Sequence, residues 1–303
     1  MTRRTRLEWL DSRSAPGQHR VSAGREPRRR AVALDLNSIV EVVERPDRAH
    51  LAAWRPGDAW LGGGTWLFSE PQPDLTRLLD LRGFGWTPLA ADAEGLTLSA
   101  TCRIAELERF APPPEWSAAG LIPLCCRALL GSFKVWNGAT VGGNICLALP
   151  AGPMTALAAA LDASCLIWGR NGDRVQPVTD LVTGAGLTSL APGEILRQIH
   201  LPAAALRRRA ALRQISLTPQ GRSGALLIGT QDRDGRCRIT VTASTTRPLV
   251  FAYPTLPDRA TLLGDLAALP DDVLFEDVHG RRAWRRAVTA HLAVEILDEL
   301  GVS

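Results

Sequence analysis

Lysine is almost missing from this 303-residue chain: of 35 lysine and arginine residues only Lys134 is a lysine, a skew of usage that carries no chemistry by itself. No apolar run approaches the roughly 18 residues of a membrane span, and the mean hydropathy is zero. Nor is a secretory leader expected. Leu7, Glu8, Asp11 and Arg13 follow the basic start, and the twin Arg3-Arg4 has no apolar core region behind it. These absences predict a cytoplasmic protein with no membrane span. Cys102, Cys125, Cys126, Cys146, Cys165 and Cys237 form no CxxC pair and no zinc spacing, so they read as reduced, mostly buried thiols. His19, His50, His200, His279 and His291 are scattered, with no HxxxH or HExxH set. The chain therefore offers no metal ligands and no iron–sulfur site of its own. Neither a GxSxG elbow, nor a P-loop, nor a GxGxxG fingerprint is present, and no residue set reads as general acid, base or nucleophile.

What is there begins with ordinary globular proportions, 46% hydrophobic and 22% charged, and enough length for two domains or one large one. Charge is uneven. Residues 1–30 carry a net charge of +6, which leaves −2 for the rest. Such a basic, apolar-poor stretch predicts a solvated, disordered tail, or a start codon placed too far upstream. No basic stripe with interleaved aromatics follows it, so nucleic acid is not an expected partner.

From residue 31 short strands and helices alternate. An amphipathic stretch over 36–44 leads to expected strands over 59–61, 78–81, 96–100 and 165–168. Helices are expected over 104–110, 116–130 and 155–162. Asn171-Gly172 predicts a type I′ turn joining 165–168 to a partner strand over 174–178. Composition shifts after Leu201-Pro202, which places a domain boundary near 203. ITVTA over 239–243 alternates like a half-buried strand. Ala283, Ala287, Val288, Leu292, Ile296 and Leu300 keep helical spacing in a final helix over about 280–300.

Two glycine-rich stretches stand 75 residues apart in this pattern, Gly62-Gly63-Gly64-Thr65 and Thr140-Val141-Gly142-Gly143-Asn144. Consecutive glycines let a backbone approach a ligand and turn successive N–H groups toward it. Two such nests facing each other suit the two phosphates of a dinucleotide, with Thr65, Thr140 and Asn144 adding side-chain donors.

Together these stretches resemble the FAD-binding medium subunit of the molybdenum hydroxylases, the xanthine dehydrogenase and carbon monoxide dehydrogenase family. LGGGT over 61–65 is similar to that family's first phosphate loop, and GLTLSAT over 95–101 to its GLxIGAxT run. NGATVGGN over 137–144 is similar to its NxxTIGGN signature. LTSLAPGEILRQIHLP over 187–202 resembles the end of its FAD domain, and DVHG over 277–280 the end of its small C-terminal domain. The resemblance spans roughly 35–300. It implies an α+β (mixed α/β) fold: a two-part PCMH-type FAD-binding domain over 31–202, then a small α+β CO dehydrogenase flavoprotein-like C-terminal domain over 203–303. It also implies an oxidoreductase subunit with FAD as cofactor. Leu61, Gly62, Gly63, Gly64, Thr65, Trp66 and Leu67 would wrap the diphosphate from one side, and Thr140, Gly142, Gly143 and Asn144 from the other. Leu130, Gly131, Ala139 and Cys146 would line the flavin or adenine pocket, Leu196 would pack on the ring system, and Arg213 would stabilise negative charge on reduced flavin. The implied partners are a large molybdopterin-binding subunit, a small subunit with two 2Fe-2S clusters, and an external electron acceptor, in a heterotrimer or its dimer.

The sequence departs from the family pattern at three places. Pro153 stands where an aspartate usually bonds the cofactor, Trp136 where an arginine is common, and Trp66 where an acidic residue follows the first loop. The tryptophans would stack on an aromatic ring instead. Two rival readings are a flavin-free scaffold subunit and a stand-alone FAD oxidoreductase. Elsewhere Cys146 reads as a small apolar filler, Lys134 as a surface lysine or a phosphate contact, and His200 and His279 as structural. Arg281, Arg282, Arg285 and Arg286 read as the outer face of the last helix.

Overall fold

A computed structural model of the protein describes residues 36–302; the basic stretch 1–30 lies outside them. Three strands, β1 (Glu41–Val43), β2 (Asp58–Leu61) and β3 (Arg77–Asp80), form a small parallel sheet in the order β1-β3-β2. Central β3 is buried along its whole length, so its polar ends need partners. Arg77 bonds Asp58 at 2.5 and 2.8 Å, and Asp80 accepts from the Arg82 N–H at 2.9 Å. Parallel neighbours cannot be joined by a tight turn. The chain between β2 and β3 is therefore a long crossover, and the first glycine motif lies at its start.

The second sheet is antiparallel. Strands β4 (Leu89–Ala91), β5 (Gly95–Ser99), β6 (Ser164–Trp168) and β7 (Arg174–Pro177) are followed by a hairpin of β8 (Val182–Gly184) and β9 (Leu187–Thr188), then by β10 (Ile195–Pro202). The order is β4-β5-β10-β6-β7, with Ile199 of β10 opposite Leu98 on one side and Cys165 on the other. An aromatic cluster of Trp60, Phe84, Trp86 and Trp168 covers Leu51, Leu81 and Ile195, tying the small sheet to the larger. The β6–β7 pairing forms, but not through the expected type I′ turn. Gly172 alone has positive φ (123°) and Asn171 does not. The connection runs over 169–173, and Arg48 braces it, holding Asp173 while its guanidinium lies 4.4 Å over the Trp168 ring.

The third sheet is a meander of β11 (Arg209–Ile215), β12 (Ala225–Gln231), β13 (Cys237–Thr242) and β14 (Leu249–Tyr253). Helices α1 (Leu121–Ala128), α2 (Phe133–Gly138), α3 (Val141–Cys146) and α4 (Pro153–Ala160) are inserted between β5 and β6 of the second sheet, and α5 (Arg259–Ala267) and α6 (Arg282–Gly301) follow the third sheet and close the chain. Every residue of α4 is buried. Its small alanines let it pack against α1 and α3 on one side and β12 and β13 on the other. That second cover corrects the reading of 239–243: β13 is buried on both faces, with Ile239 and Val241 against Leu292 and Ile296 of α6 and the threonine face under α4.

The last helix also differs from expectation. Its buried stripe is Arg285, Thr289, Leu292, Ala293, Ile296, Leu297 and Leu300, whereas Ala283 and Ala287 are exposed. Arg285 is inside the core, and Arg286 donates to the Leu269 carbonyl (2.8 Å) and Asp271 (2.7 Å). The four arginines do not form a solvated outer face.

Candidate cofactor site

The first glycine motif leaves the carboxyl end of β2, the end of a parallel strand at which α/β folds bind ligands. The strand end is firmly seated. Trp60, just before it, stacks on Trp54 (centroids 5.3 Å) and donates its indole N–H to the Gly193 carbonyl at 3.1 Å. The motif then folds on itself, with the Phe68 N–H on the Gly64 carbonyl (2.9 Å) and the Ser69 hydroxyl on the Thr65 carbonyl (2.8 Å). The backbone N–H groups of residues 62–67 donate to no acceptor among the described residues. A run of unspent donors is costly unless water or a ligand takes them.

The second motif is not the expected N–H nest. Residues 141–146 are helix α3, and Thr140 is its N-cap: the Gly143 N–H donates to Thr140 Oγ1 at 3.0 Å. The Val141 N–H goes to the Cys102 carbonyl (2.8 Å), that of Gly142 to Ala100 (3.0 Å) and that of Asn144 to Thr140 (3.0 Å). All the helix's leading backbone donors are thus spent inside the protein. What remains is side-chain chemistry. Thr140 accepts through its oxygen and keeps its hydroxyl proton. Asn144 accepts from the Met154 N–H through Oδ1 (3.0 Å), which fixes the amide and leaves its NH2 group free to donate. Pro153 is the buried first residue of α4, a position where its missing N–H costs nothing.

The glycines bring the two motifs together. A Cβ on Gly63 would fall 1.8 Å from the Gly138 carbonyl oxygen, and one on Gly142 only 2.4 Å from the Ala100 side chain. Between the motifs opens a cavity of about 820 Å³, within the usual range for small-molecule sites. Residues 61–67 line it, with Leu130, Ala139, Thr140, Gly143, Asn144 and Cys146. The other residues expected there are elsewhere. Gly131 is exposed beside the site, packed on Val135. Gly142 is sealed against Ala100. Leu196 pairs with Ile167 in β10 and is 2% exposed, inside the core. Arg213 points to α6, where Glu295 (2.9 Å) and Glu299 (2.7 Å) hold it; their hydrogen bonds, led by that of Glu299, raise its already high pKa.

Of the two departing tryptophans, Trp66 lines the cavity, whereas Trp136 spends its indole N–H on the Leu129 carbonyl (3.1 Å) and braces that wall from behind. Lys134 is exposed and off the cavity, and His200 bonds Thr97 at 3.1 Å. His279, read as structural, lines the cavity together with Gln220 and Arg222, the latter two from the β11–β12 loop. No short-range signal marks these three, because they arrive from a different sheet. Gln72, Trp60 and Val135 join from the near side. Among the described residues the lining includes no carboxylate, and Arg222 is its one guanidinium. Burial pushes the Cys146 thiol up to about 12, so it is a neutral wall group at ordinary pH.

No three His, Cys, Asp or Glu side chains gather as a metal set among the described residues, and no helix there is long and apolar enough to cross a membrane. Comparison with known proteins agrees with the geometry. The chain is 28% identical over 140 residues to the carbon monoxide dehydrogenase medium chain of Hydrogenophaga pseudoflava, a match covering 45% of each chain. In fold it is similar to a chain of carbon monoxide dehydrogenase from Hydrogenophaga pseudoflava, in a form lacking the Mo-pyranopterin moiety of the molybdenum cofactor. That likeness has a TM-score of 0.73 at 19% identity and covers 86% of this chain and 96% of that one. A chain of quinoline 2-oxidoreductase from Pseudomonas putida 86 gives a TM-score of 0.69 at 19% identity, covering 86% and 97%. The family described as FAD binding domain in molybdopterin dehydrogenase matches residues 36–204, more than half the chain. The chain belongs to that family of FAD-binding domains.

Proposed function

We propose that this chain is the FAD-binding, electron-transfer subunit of a molybdenum-containing hydroxylase or dehydrogenase. A large partner would carry the molybdopterin cofactor and a small partner two 2Fe-2S clusters, with electrons leaving for an external acceptor. Residues 31–202 form the cofactor domain in this reading and 203–303 the flavoprotein-like C-terminal domain. The turn over 62–67 carries it: its N–H groups are unspent, it follows the end of a parallel strand, and it lines the 820 Å³ cavity.

Bound FAD would supply a ring system able to accept electrons one at a time from one-electron donors and to hold two of them. The protein's part is to bind and to seal. Backbone donors over 62–67 would hold the diphosphate, while the Thr140 hydroxyl and the Asn144 amide donate from the facing wall. Leu129, Leu130 and Val135 would give the ring system an apolar wall. The lining holds no carboxylate, the Cys146 thiol is neutral, and its one imidazole, His279, has no acidic or thiolate partner in that lining, so no acid–base or nucleophilic set is assembled, which fits a relay whose substrate chemistry happens elsewhere.

An absorption spectrum and a melting curve, each with and without added FAD, test this. Flavin bands near one per chain are expected, and FAD at 100 times its Kd stabilises by about 2.7 kcal/mol. At roughly 2–4 °C per kcal/mol for a chain of this size, that is a clear melting shift. No bands and no shift in excess FAD refute the proposal.

A further inference from the structure

Three walls of the cavity are tied to one buried side chain that the cofactor reading does not use. Arg285, in the first turn of α6, is 1% exposed. It donates to the carbonyls of Gly280 (3.0 Å), Gly224 (2.8 Å) and Ala243 (2.5 Å), and to the Asp277 carboxylate (2.5 Å). Gly280 closes the turn that presents His279, and Gly224 ends the loop that presents Gln220 and Arg222. The Ala243 N–H donates to the Pro150 carbonyl at 2.8 Å, next to the lining residues Leu149, Ala151 and Gly152. Trp284 clamps the same two turns: a Cβ on Gly224 would fall 2.3 Å from its ring, and one on Gly280 2.7 Å. A guanidinium buried this deeply is tolerated because a carboxylate and three carbonyls accept four hydrogen bonds from it. Lysine has no fork to replace it.

The charge of the cavity makes this knot matter. The glycine turn offers neutral donors, α3 has spent its backbone N–H groups, Arg213 is committed to α6, and Lys134 is off the cavity. Arg222 is left, with no ion pair among the described residues. We infer that Arg222 neutralises the diphosphate of the bound dinucleotide, and that Arg285 is the positioning residue holding the Arg222 loop against the glycine-motif walls. The C-terminal sheet is then part of the cofactor site. This inference rests on the FAD-binding reading.

The experiment is an FAD titration of the full chain, followed by flavin fluorescence at low and high salt, for wild type, R222Q, R222K, R285K and R222Q/R285K. Arg222→Gln should raise Kd about tenfold at low salt and much less at high salt, because screening already weakens a partly exposed charge pair. Arg222→Lys should stay close to wild type. Arg285→Lys should weaken binding to a similar degree, yet add little on top of Arg222→Gln, since its effect passes through Arg222. Melting of each apo variant separates this from loss of fold. Wild-type Kd and salt dependence in R222Q overturn the inference while leaving FAD binding intact. Equal effects of Arg285→Lys in both backgrounds overturn the positioning role. A wild type that binds no FAD overturns both readings.

Discussion

Gly63→Ala is the sharpest test of how the cavity is built. A methyl group there would sit 1.8 Å from the Gly138 carbonyl oxygen, a backbone atom, where real Cβ contacts do not fall below 3.0 Å. The two motifs must therefore separate by more than about 1 Å, because the atoms in the way, Gly138 and the Ala139 Cα, are backbone and cannot turn aside as a flexible side chain would. Overpacking of this kind costs about 1–3 kcal/mol in the apo protein. The loss in binding should be larger. The unspent N–H groups over 62–67 and the Thr140 and Asn144 donors on the opposite wall contact one ligand only at the native separation. Hydrogen bonds to a charged phosphate are worth about 1.5–3 kcal/mol each, so losing even one weakens FAD binding by about ten- to a hundredfold. Titration by fluorescence gives Kd, and an apo melting curve gives the stability term separately. An unchanged Kd in G63A would show that the two walls do not grip one ligand together.

Asn144→Asp keeps the oxygen that accepts from the Met154 N–H, so the apo melting temperature should hold. It replaces the free NH2 group by charge facing a diphosphate, so Kd for FAD should rise at least tenfold; an unchanged Kd contradicts the assignment. Gly264→Ala lies inside α5 with open space around its Cβ, and should stabilise the chain by about 0.5–1 kcal/mol without touching FAD affinity, as a melting curve will read. Burial alone would raise the Asp58 carboxyl, but the Arg77 guanidinium and the Arg55 N–H outweigh it and hold it below the ordinary value. A depressed folded-state pKa stabilises above the unfolded value near about 3.9 and is lost as pH falls through the folded one, so melting temperature should drop below about pH 4. That acid-side drop should be shallower in D58N, which at neutral pH loses about 3 kcal/mol by stranding Arg77. Equal acid slopes in the two proteins would refute the role given to this pair.

Most strands were legible because their signal is local. Leu78, Leu79 and Asp80 lie in β3, within the strand expected over 78–81, and the final helix is where its period puts it. Its face was misread for a traceable reason. Arg285 stands seven residues before Leu292 and eleven before Ile296, squarely on the buried stripe. Treating arginine as solvent-facing by type moved the stripe onto Ala283 and Ala287. The helical identity of 141–146 was also available, since threonine ahead of an apolar-periodic segment is an N-cap signature. Reading every glycine run as a ligand-facing loop hid it. Gln220, Arg222 and His279 were not legible at all, because their presence at the cavity depends on how the third sheet meets α4.

The two motifs divide their labour differently from what their similar composition suggests. In the first, the turn leaves its N–H groups free for a ligand. In the second, Gly142 is needed so that the chain can pass Ala100, and the backbone donors vanish into helix α3. That helix in turn places Thr140 and Asn144 rigidly, the latter anchored to α4 through Met154. Pro153 fits the same logic. It stands where the resemblance calls for an aspartate, yet it is the buried opening residue of α4, beside an asparagine that α4 itself holds in place. Pro153 itself is not part of the cavity lining, which carries no negative side chain among the described residues. Such a lining suits the most anionic part of a dinucleotide, and its one guanidinium, Arg222, comes from the loop between two strands of the third sheet.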